Sequence, residues 1–513
     1  MCSNEFSGCK NKASCSSTRY YKSIFKPRER CGVFGILAHD VRQQVSQLVY
    51  HGLMALQHRG QEAAGLSIVN GKRKIFTHKG HGLVFQVLTP EVIRQYWGNV
   101  SIGHVRYGTA GSSSIKNAQP HYFTSTNLSF SLAFNGNIAN YCDLKEQLIS
   151  RGRVFTTNSD TEVIANILAS LYLEQHDWTY ALRKITEYLD GSYSLILLTK
   201  NSEIYALRDP LGIKPLCYGK LNDHCDYDIF ASESCAIDSI GGKFVDDLKP
   251  GEIIKTSINE QLHSEYIVPS QKRALCMFEF VYFARPDSII DGVSVAQART
   301  RLGKNLAKSC PVDSSNAVVV PVPDSGRSGS IGFAEESGIP YKEGLMKNRY
   351  VWRTFIMPGQ QRRNTMVRQK LNPIKSAING KEVVLIDDSI VRGTTTRFIV
   401  KLLKEAGATK VHVRITCPEV REPCFMGVDF PTKNELIVGK EELLNNDNYI
   451  ETVREHIGAD SLGYQTIDGL VQAIGLPRNE LCLACLNGDY PLKEDPRCLN
   501  LSETFSTNRE RAL

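Results

Sequence analysis

Apolar positions fall into two rhythms along this chain. From Cys31 to about residue 260, short apolar strings are broken by turn residues, a pattern of many short strands with a few helices between them. Gly191-Ser192-Tyr193-Ser194-Leu195-Ile196-Leu197-Leu198-Thr199 is a strongly apolar strand, and Lys249-Pro250-Gly251 predicts a turn near the end of the region. Ser159-Asp160-Thr161-Glu162, ahead of Val163-Ile164-Ala165-Asn166-Ile167-Leu168, reads as a helix start. Ser159 or Asp160 is its N-cap, and Glu162 stands where a capping-box partner of Ser159 belongs. After about residue 275 strands alternate with helices, as in a parallel α/β sheet. Ala317–Val322, Glu382–Ile386 and Lys410–Thr416 are its strands. The helix after Thr394 carries Phe398, Ile399, Leu402, Leu403 and Ala406 on one stripe, with Gly407 as its stop.

The 513 residues suffice for two to four domains, each with its own core. The chain carries 61 basic and 54 acidic residues, a net charge of +7, without a basic stretch long enough to argue for nucleic acid. A basic site for a small anion accounts for that balance equally well. No apolar run approaches the roughly 18–20 residues of a membrane span. Residues 1–30 are polar, Ser-rich and basic, with no apolar segment of a secretory signal. They read as a leader, either disordered or an organellar transit peptide, so the expected location is cytoplasmic with an organellar alternative. Fifteen cysteines in a long chain without a secretory signal do not form a disulfide framework. The exception is Cys482-Leu483-Ala484-Cys485, whose CxxC spacing suits a metal or redox site.

Two strings carry the chemistry. Cys31 heads Cys31-Gly32-Val33-Phe34-Gly35-Ile36 and suits a nucleophile that becomes an N-terminus on removal of residues 1–30. Its own α-amino group, with a pKa of about 7.7–8.0, could then take the thiol proton. Much later, Val383-Val384-Leu385-Ile386-Asp387-Asp388-Ser389-Ile390-Val391-Arg392-Gly393-Thr394-Thr395 reads as a strand carrying two acids to its C-terminal edge. The following hydroxyl-rich loop and helix start favour a phosphate. Together they predict two reactions, one releasing something small and one adding it to a phosphorylated substrate. Four further thiols, Cys276, Cys424, Cys482 and Cys485, suit an iron–sulfur cluster or a structural zinc ion.

Cys31-Gly32, Gln57-His58-Arg59-Gly60-Gln61-Glu62-Ala63-Ala64-Gly65, Gly103-His104-Val105-Arg106-Tyr107-Gly108-Thr109, Phe134-Asn135-Gly136-Asn137 and Ser159-Asp160-Thr161-Glu162 follow in order. Together they resemble the glutaminase domain of the N-terminal-nucleophile glutamine amidotransferases. The resemblance implies that Cys31 attacks the glutamine amide and frees ammonia. It implies Arg106 on the glutamine α-carboxylate, Asp160 on the α-ammonium, and Asn135 and Gly136 as oxyanion donors. Phe134 stands where the family often has His; Asn135-Gly136 alone would read as a hairpin turn.

The later string resembles the signature of the phosphoribosyltransferases that use 5-phosphoribosyl-1-pyrophosphate (PRPP). This implies Asp387 and Asp388 on the ribose hydroxyls and Mg²⁺, and Ser389, Arg392, Gly393, Thr394 and Thr395 in the loop around the 5-phosphate. It also implies Pro323-Asp324-Ser325 as the pyrophosphate loop with Ser325 near the metal, and Lys347, Arg349 and Arg353 on a mobile lid. Trp352 replaces the usual lid Gly. Both halves, with the four cysteines, resemble the cluster-bearing amidophosphoribosyltransferases. The expected fold is an α+β N-terminal-nucleophile hydrolase domain (an αββα sandwich) over 31–260, then an α/β type I phosphoribosyltransferase domain with a parallel sheet over 261–492, with a tail from 493. The resemblance implies one Mg²⁺ and one 4Fe–4S cluster per chain, an internal ammonia channel, inhibition by purine nucleotides and a homo-oligomer, commonly a tetramer, with neither nucleic acid nor membrane as partner. Sugar-phosphate aminotransferases and asparagine synthetases share the first half, but they would need a sugar-isomerase or an ATP-pyrophosphatase second half, and no Ser-Gly-Gly-x-Asp-Ser string is found here. A PRPP-sensing regulator leaves the glutaminase strings unexplained.

Overall fold

Two antiparallel sheets lie face to face in the first half of the chain. The computed structural model describes residues 31–348, 371–428, 430, 432–439 and 448–493, less 71–72, 108–113, 223–225, 259 and 267–271. The leader, the lid positions Arg349, Trp352 and Arg353, and residues 494–513 lie outside the described residues. The first sheet orders its strands Lys243–Asp247, Cys217–Asn222, Asp226–Ala231, Gly32–Ala38, Val100–Arg106, Ala63–Val69 and Ile75–His81. The second orders Glu260–Tyr266, Glu252–Ser257, Glu203–Arg208, Gly191–Thr199, Ser129–Ile138 and His121–Thr124.

Each central strand is buried on both faces, which is why Gly191–Thr199 reads as a continuous apolar run rather than an alternation. Val33, Leu37 and Ile102 meet Ala133, Ile196 and Leu198 between the sheets. Helix Ser46–Ala55 covers the outer face of the first sheet, while helices Asp160–Gln175 and Trp178–Tyr188 cover that of the second. The result is an αββα sandwich.

The second half holds a parallel sheet ordered Ala317–Pro321, Glu382–Asp387, Lys410–Ile415 and Ser461–Tyr464. Alternate residues of its second strand feed opposite layers. Val384 and Ile386 pack with Leu306 and Phe333 of helices Val295–Ser309 and Gly326–Ser337, whereas Val383 and Leu385 join Ile399, Val400 and Leu403 of helix Thr394–Glu405. The buried stripe of that last helix is rotated from the expected one. Val400 is buried while Phe398 and Leu402 are only half-buried, and helix Tyr449–Ile457 packs beside it. Among the described residues no helix is long and apolar enough to cross a membrane.

Candidate active sites

Cys31 sits at the entrance of strand Gly32–Ala38, where Gly32 faces Val105 in the neighbouring strand and Ala63 faces Arg106. This register brings the candidate nucleophile and the candidate carboxylate clamp to the same end of the sheet. Cys31 and Arg106 are each 1% exposed, and Arg106 Nη1 stands 3.4 Å from Glu62 Oε1.

The facing sheet contributes Asn135 and Gly136. They do not form a hairpin turn: both lie inside strand Ser129–Ile138, paired with Ser194 and Tyr193. The Cys31 backbone nitrogen donates to Asn135 Oδ1 at 3.3 Å. Among the described residues the amide nitrogen of the same Asn135 is buried with no hydrogen-bond partner. A buried donor left unpaired costs roughly 1–3 kcal/mol, so this one is available to a ligand oxygen. Gly136 has no alternative residue, since a Cβ there would stand 2.0 Å from the Ser192 carbonyl oxygen. His104 joins the sheets a second time through Nε2 and the Phe134 carbonyl, 3.1 Å apart. Burial pushes its pKa down to about 3, so the ring is neutral and acts as a fixed strut.

Asp160 opens helix Asp160–Gln175 and accepts from the Ile138 amide at 2.8 Å, which ties it to the strand that carries Asn135 and Gly136. Ser159 is the N-cap, but the expected capping box does not form. Ser159 Oγ accepts from Thr161 N at 3.3 Å, and the Glu162 carboxylate bends back to the amides of Thr156 and Thr157. The preceding loop offers Glu162 several donors at once, and these outbid the single Ser159 amide.

Asp387 ends the central parallel strand and Asp388 follows it. Both are 7% exposed. The Asp388 amide donates to Asp387 Oδ1 at 2.9 Å, and Ser389 Oγ donates to Asp388 Oδ1 at 2.6 Å. Burial and the charge of Asp388 raise the Asp387 pKa well above the usual carboxylate range. Burial also raises Asp388, opposed by hydrogen bonds from Ser325 and Ser389 and by the charge of Arg299. Two carboxylates held this way invite a cation or hydroxyl donors. Ser325 therefore stands beside Asp388, at the start of helix Gly326–Ser337. Lys347 Nζ reaches Asp324 Oδ2 in the same loop at 3.0 Å. Beyond the acids, Gly393 takes φ 76° ahead of helix Thr394–Glu405. Arg392, Thr394 and Thr395 are exposed around it, and Arg392 pairs with Glu435 at 2.7 Å.

The four cysteines come from three separated stretches to one buried place. Strands Leu275–Cys276 and Leu481–Cys482 pair in parallel, with Cys276 opposite Cys482. The Cys485 carbonyl accepts from the amides of Arg421 and Glu422, just before Cys424. Each of the four is at most 9% exposed, and none is in a disulfide among the described residues. Burial raises the Cys276 pKa to about 11 and that of Cys485 well above the usual thiol range, and the charges of Cys424, Cys417, Cys482 and Cys276 add to the rise at Cys485. Among the described residues no group of three or more His, Cys, Asp or Glu side chains is arranged to hold a metal ion.

Charged residues that join the two halves were not legible as site residues. Arg59 lies between Glu233 and Glu279, and Arg208 pairs with Asp291 at 2.7 Å. The one available signal was Glu279 itself, a lone carboxylate inside the aromatic run Phe278–Phe283.

The fold and both sites define a glutamine amidotransferase joined to a phosphoribosyltransferase. A family model described as a glutamine amidotransferase domain matches residues 104–239. The amidophosphoribosyltransferase of Methanothermobacter thermautotrophicus is 46% identical over 466 residues, covering 90% of this chain and 95% of its own. That of Bacillus subtilis is 43% identical over 469 residues, covering 90% and 94%. The solved glutamine PRPP amidotransferase of B. subtilis, complexed with ADP and GMP, superposes with TM-score 0.82 at 41% identity, covering 91% of this chain and all of its own. This chain belongs to the amidophosphoribosyltransferase family.

Proposed function

We propose that the family reaction runs here between two sites built from the residues above: glutamine, PRPP and water give 5-phosphoribosylamine, pyrophosphate and glutamate, the committed step toward purines. The observation that carries the first site is Asn135, whose oxygen is engaged by the Cys31 nitrogen while its buried amide nitrogen has no partner among the described residues. Once residues 1–30 are removed, the Cys31 α-amine takes the thiol proton and the sulfur adds to the glutamine amide carbon. Asn135 and the Gly136 amide hold the oxyanion. Arg106 holds the α-carboxylate as a planar fork, and Asp160 holds the α-ammonium. Collapse of the adduct frees ammonia and leaves a thioester, which water cleaves to glutamate.

At the second site Asp387 and Asp388 bind the ribose hydroxyls. Ser389, Arg392, Gly393, Thr394 and Thr395 surround the 5-phosphate, and Lys347, Arg349 and Arg353 supply lid cations. Asp387, Asp388 and Ser325 form the position for one Mg²⁺, which when bound neutralises the pyrophosphate. Ammonia reaching this site through the protein replaces pyrophosphate at the anomeric carbon.

Cys276, Cys424, Cys482 and Cys485 suit one 4Fe–4S cluster. The support is an all-thiol donor set, buried and free of disulfides among the described residues, with Cys276 and Cys482 paired across two strands. The domain division is 31–260 and 261–492, between a leader and a tail that begins at 493. Purine nucleotides are inhibitors on this reading, as ADP and GMP on the B. subtilis relative suggest, and the chain works as a cytoplasmic homotetramer. Mass analysis of the active protein tests the first step: it should begin at Cys31, and activity with residues 1–30 retained would remove the α-amine from the mechanism.

A further inference from the structure

The charge that holds the glutamine-site turn comes from the other half of the chain. Arg59 is 6% exposed, and its guanidinium lies 3.1 Å from Glu233 and 2.5 Å from Glu279. Glu233 is saturated by further partners: His58 at 2.7 Å, the Arg285 amide at 2.9 Å and Ser288 Oγ at 2.7 Å. Glu279 faces Arg59 twice, through Nη1 and Nη2, with Lys214 Nζ a further 4.0 Å away. Both carboxylates are 1% exposed. A buried ion pair of this kind adds little net stability over an apolar pair, so its use lies in fixing geometry.

What Arg59 fixes is specific. Gly60 is pressed on the backbone of Arg106, where a Cβ would stand 2.5 Å from the Arg106 carbonyl carbon. Behind Cys31, a Cβ on Gly32 would stand 3.5 Å from Arg59 Cβ. The Glu62 amide donates to the Arg106 carbonyl at 3.0 Å. The turn containing Arg59 therefore backs both the nucleophile and the glutamine clamp. On its far side, Glu279 opens the helical turn Glu279–Phe283. Arg299 holds that turn by donating to the carbonyls of Phe280 at 2.7 Å and Ala284 at 2.8 Å. Arg299 is itself buried, with its charge felt at Asp388 of the second site.

We propose that Glu279 is a positioning residue of the glutamine site: it holds Arg59, and through Arg59 the turn behind Cys31 and Arg106, so that this site is complete only while the turn from the transferase half is seated. The inference rests on the glutamine-site assignment above. Its test uses the full-length protein with Glu279→Gln, which keeps shape and removes charge, and Glu279→Asp, which keeps charge and shortens reach. Three rates are compared: glutamine-dependent synthesis, ammonia-dependent synthesis, and covalent inactivation by a diazoketone analogue of glutamine, with the modified residue mapped by mass spectrometry. Glu279→Gln should raise the glutamine KM and slow inactivation by about tenfold or more, with ammonia-dependent synthesis within about twofold of wild type. Glu279→Asp should recover part of the loss. Unchanged glutamine KM and inactivation rate in Glu279→Gln would overturn the proposal, as would a parallel fall of all three rates, which marks a general structural role. If Glu279→Gln does not fold, Glu279→Asp decides alone: a selective rise in glutamine KM supports the proposal and wild-type behaviour overturns it. Inactivation of the wild type at a residue other than Cys31 would instead refute the glutamine-site assignment.

Discussion

At Asn135 one side chain bridges two sheets, taking a hydrogen bond from the Cys31 nitrogen while its amide nitrogen has no partner among the described residues, as the proposed oxyanion role requires. Asn135→Ala removes one oxyanion donor, and glutamine-dependent kcat should fall by about 10²–10³ with ammonia-dependent turnover unchanged. Cys31→Ala should abolish glutamine use and leave the ammonia reaction; steady-state assays with each nitrogen source check both. Asp247 is a residue whose cost depends on pH. It accepts from the Asp291 amide at 2.7 Å, and burial, then the Asp291 charge, raises its pKa to about 7. The folded state therefore holds a proton that the unfolded chain has lost, and this contribution to stability drains away as pH rises from about 4 to about 7. Asp247→Asn removes that dependence. Between pH 5 and 8 the variant should gain on wild type by on the order of 2 kcal/mol, read from thermal unfolding at each pH; a constant difference between the two proteins would contradict it.

Strands and their ends decide which residues meet. The acid pair ends a strand buried on both faces, so Asp387→Ala or Asp388→Ala leaves the sheet but removes the proposed ligand contact. Glutamine- and ammonia-dependent synthesis should fall together, by about ten- to a thousandfold if one or two contacts of roughly 1.5–3 kcal/mol are lost; unchanged PRPP turnover would remove the assignment. The strands were legible because they are unusually apolar: Gly191–Thr199 begins and ends where its composition changes, and Glu382–Asp387 extends the expected strand by one residue. What sits against them was not. Asn135-Gly136 has turn chemistry yet lies mid-strand, because a facing carbonyl leaves room only for glycine. Glu162 has capping-box spacing yet serves another loop, because local propensity cannot see donors brought by the preceding bend. Arg59 and Glu279 are 220 positions apart, and no local pattern pairs them.

The two halves of the molecule are stitched together beside the glutamine site and the Cys424 loop. Beside the Cys424 loop, Asn137 Nδ2 donates to the Phe425 carbonyl and Ser192 Oγ to that of Met426, so the loop bearing one candidate cluster ligand touches the strands that carry Gly136 and Tyr193. Anaerobically purified protein should be brown, with about four irons and four sulfides per chain, and air should bleach it and lower its thermal stability. Colourless, fully active protein with one zinc per chain would restore the zinc reading. Ammonia made at Cys31 should be used at Asp387 and Asp388 without entering bulk solvent. The most direct test of this supplies glutamine labelled with ¹⁵N at the amide, together with PRPP and unlabelled ammonium, and reads the nitrogen isotope in trapped phosphoribosylamine. The product should carry the glutamine label at low ammonium and keep most of it as ammonium rises to match glutamine. Product nitrogen that follows the solvent ammonium pool would contradict the account.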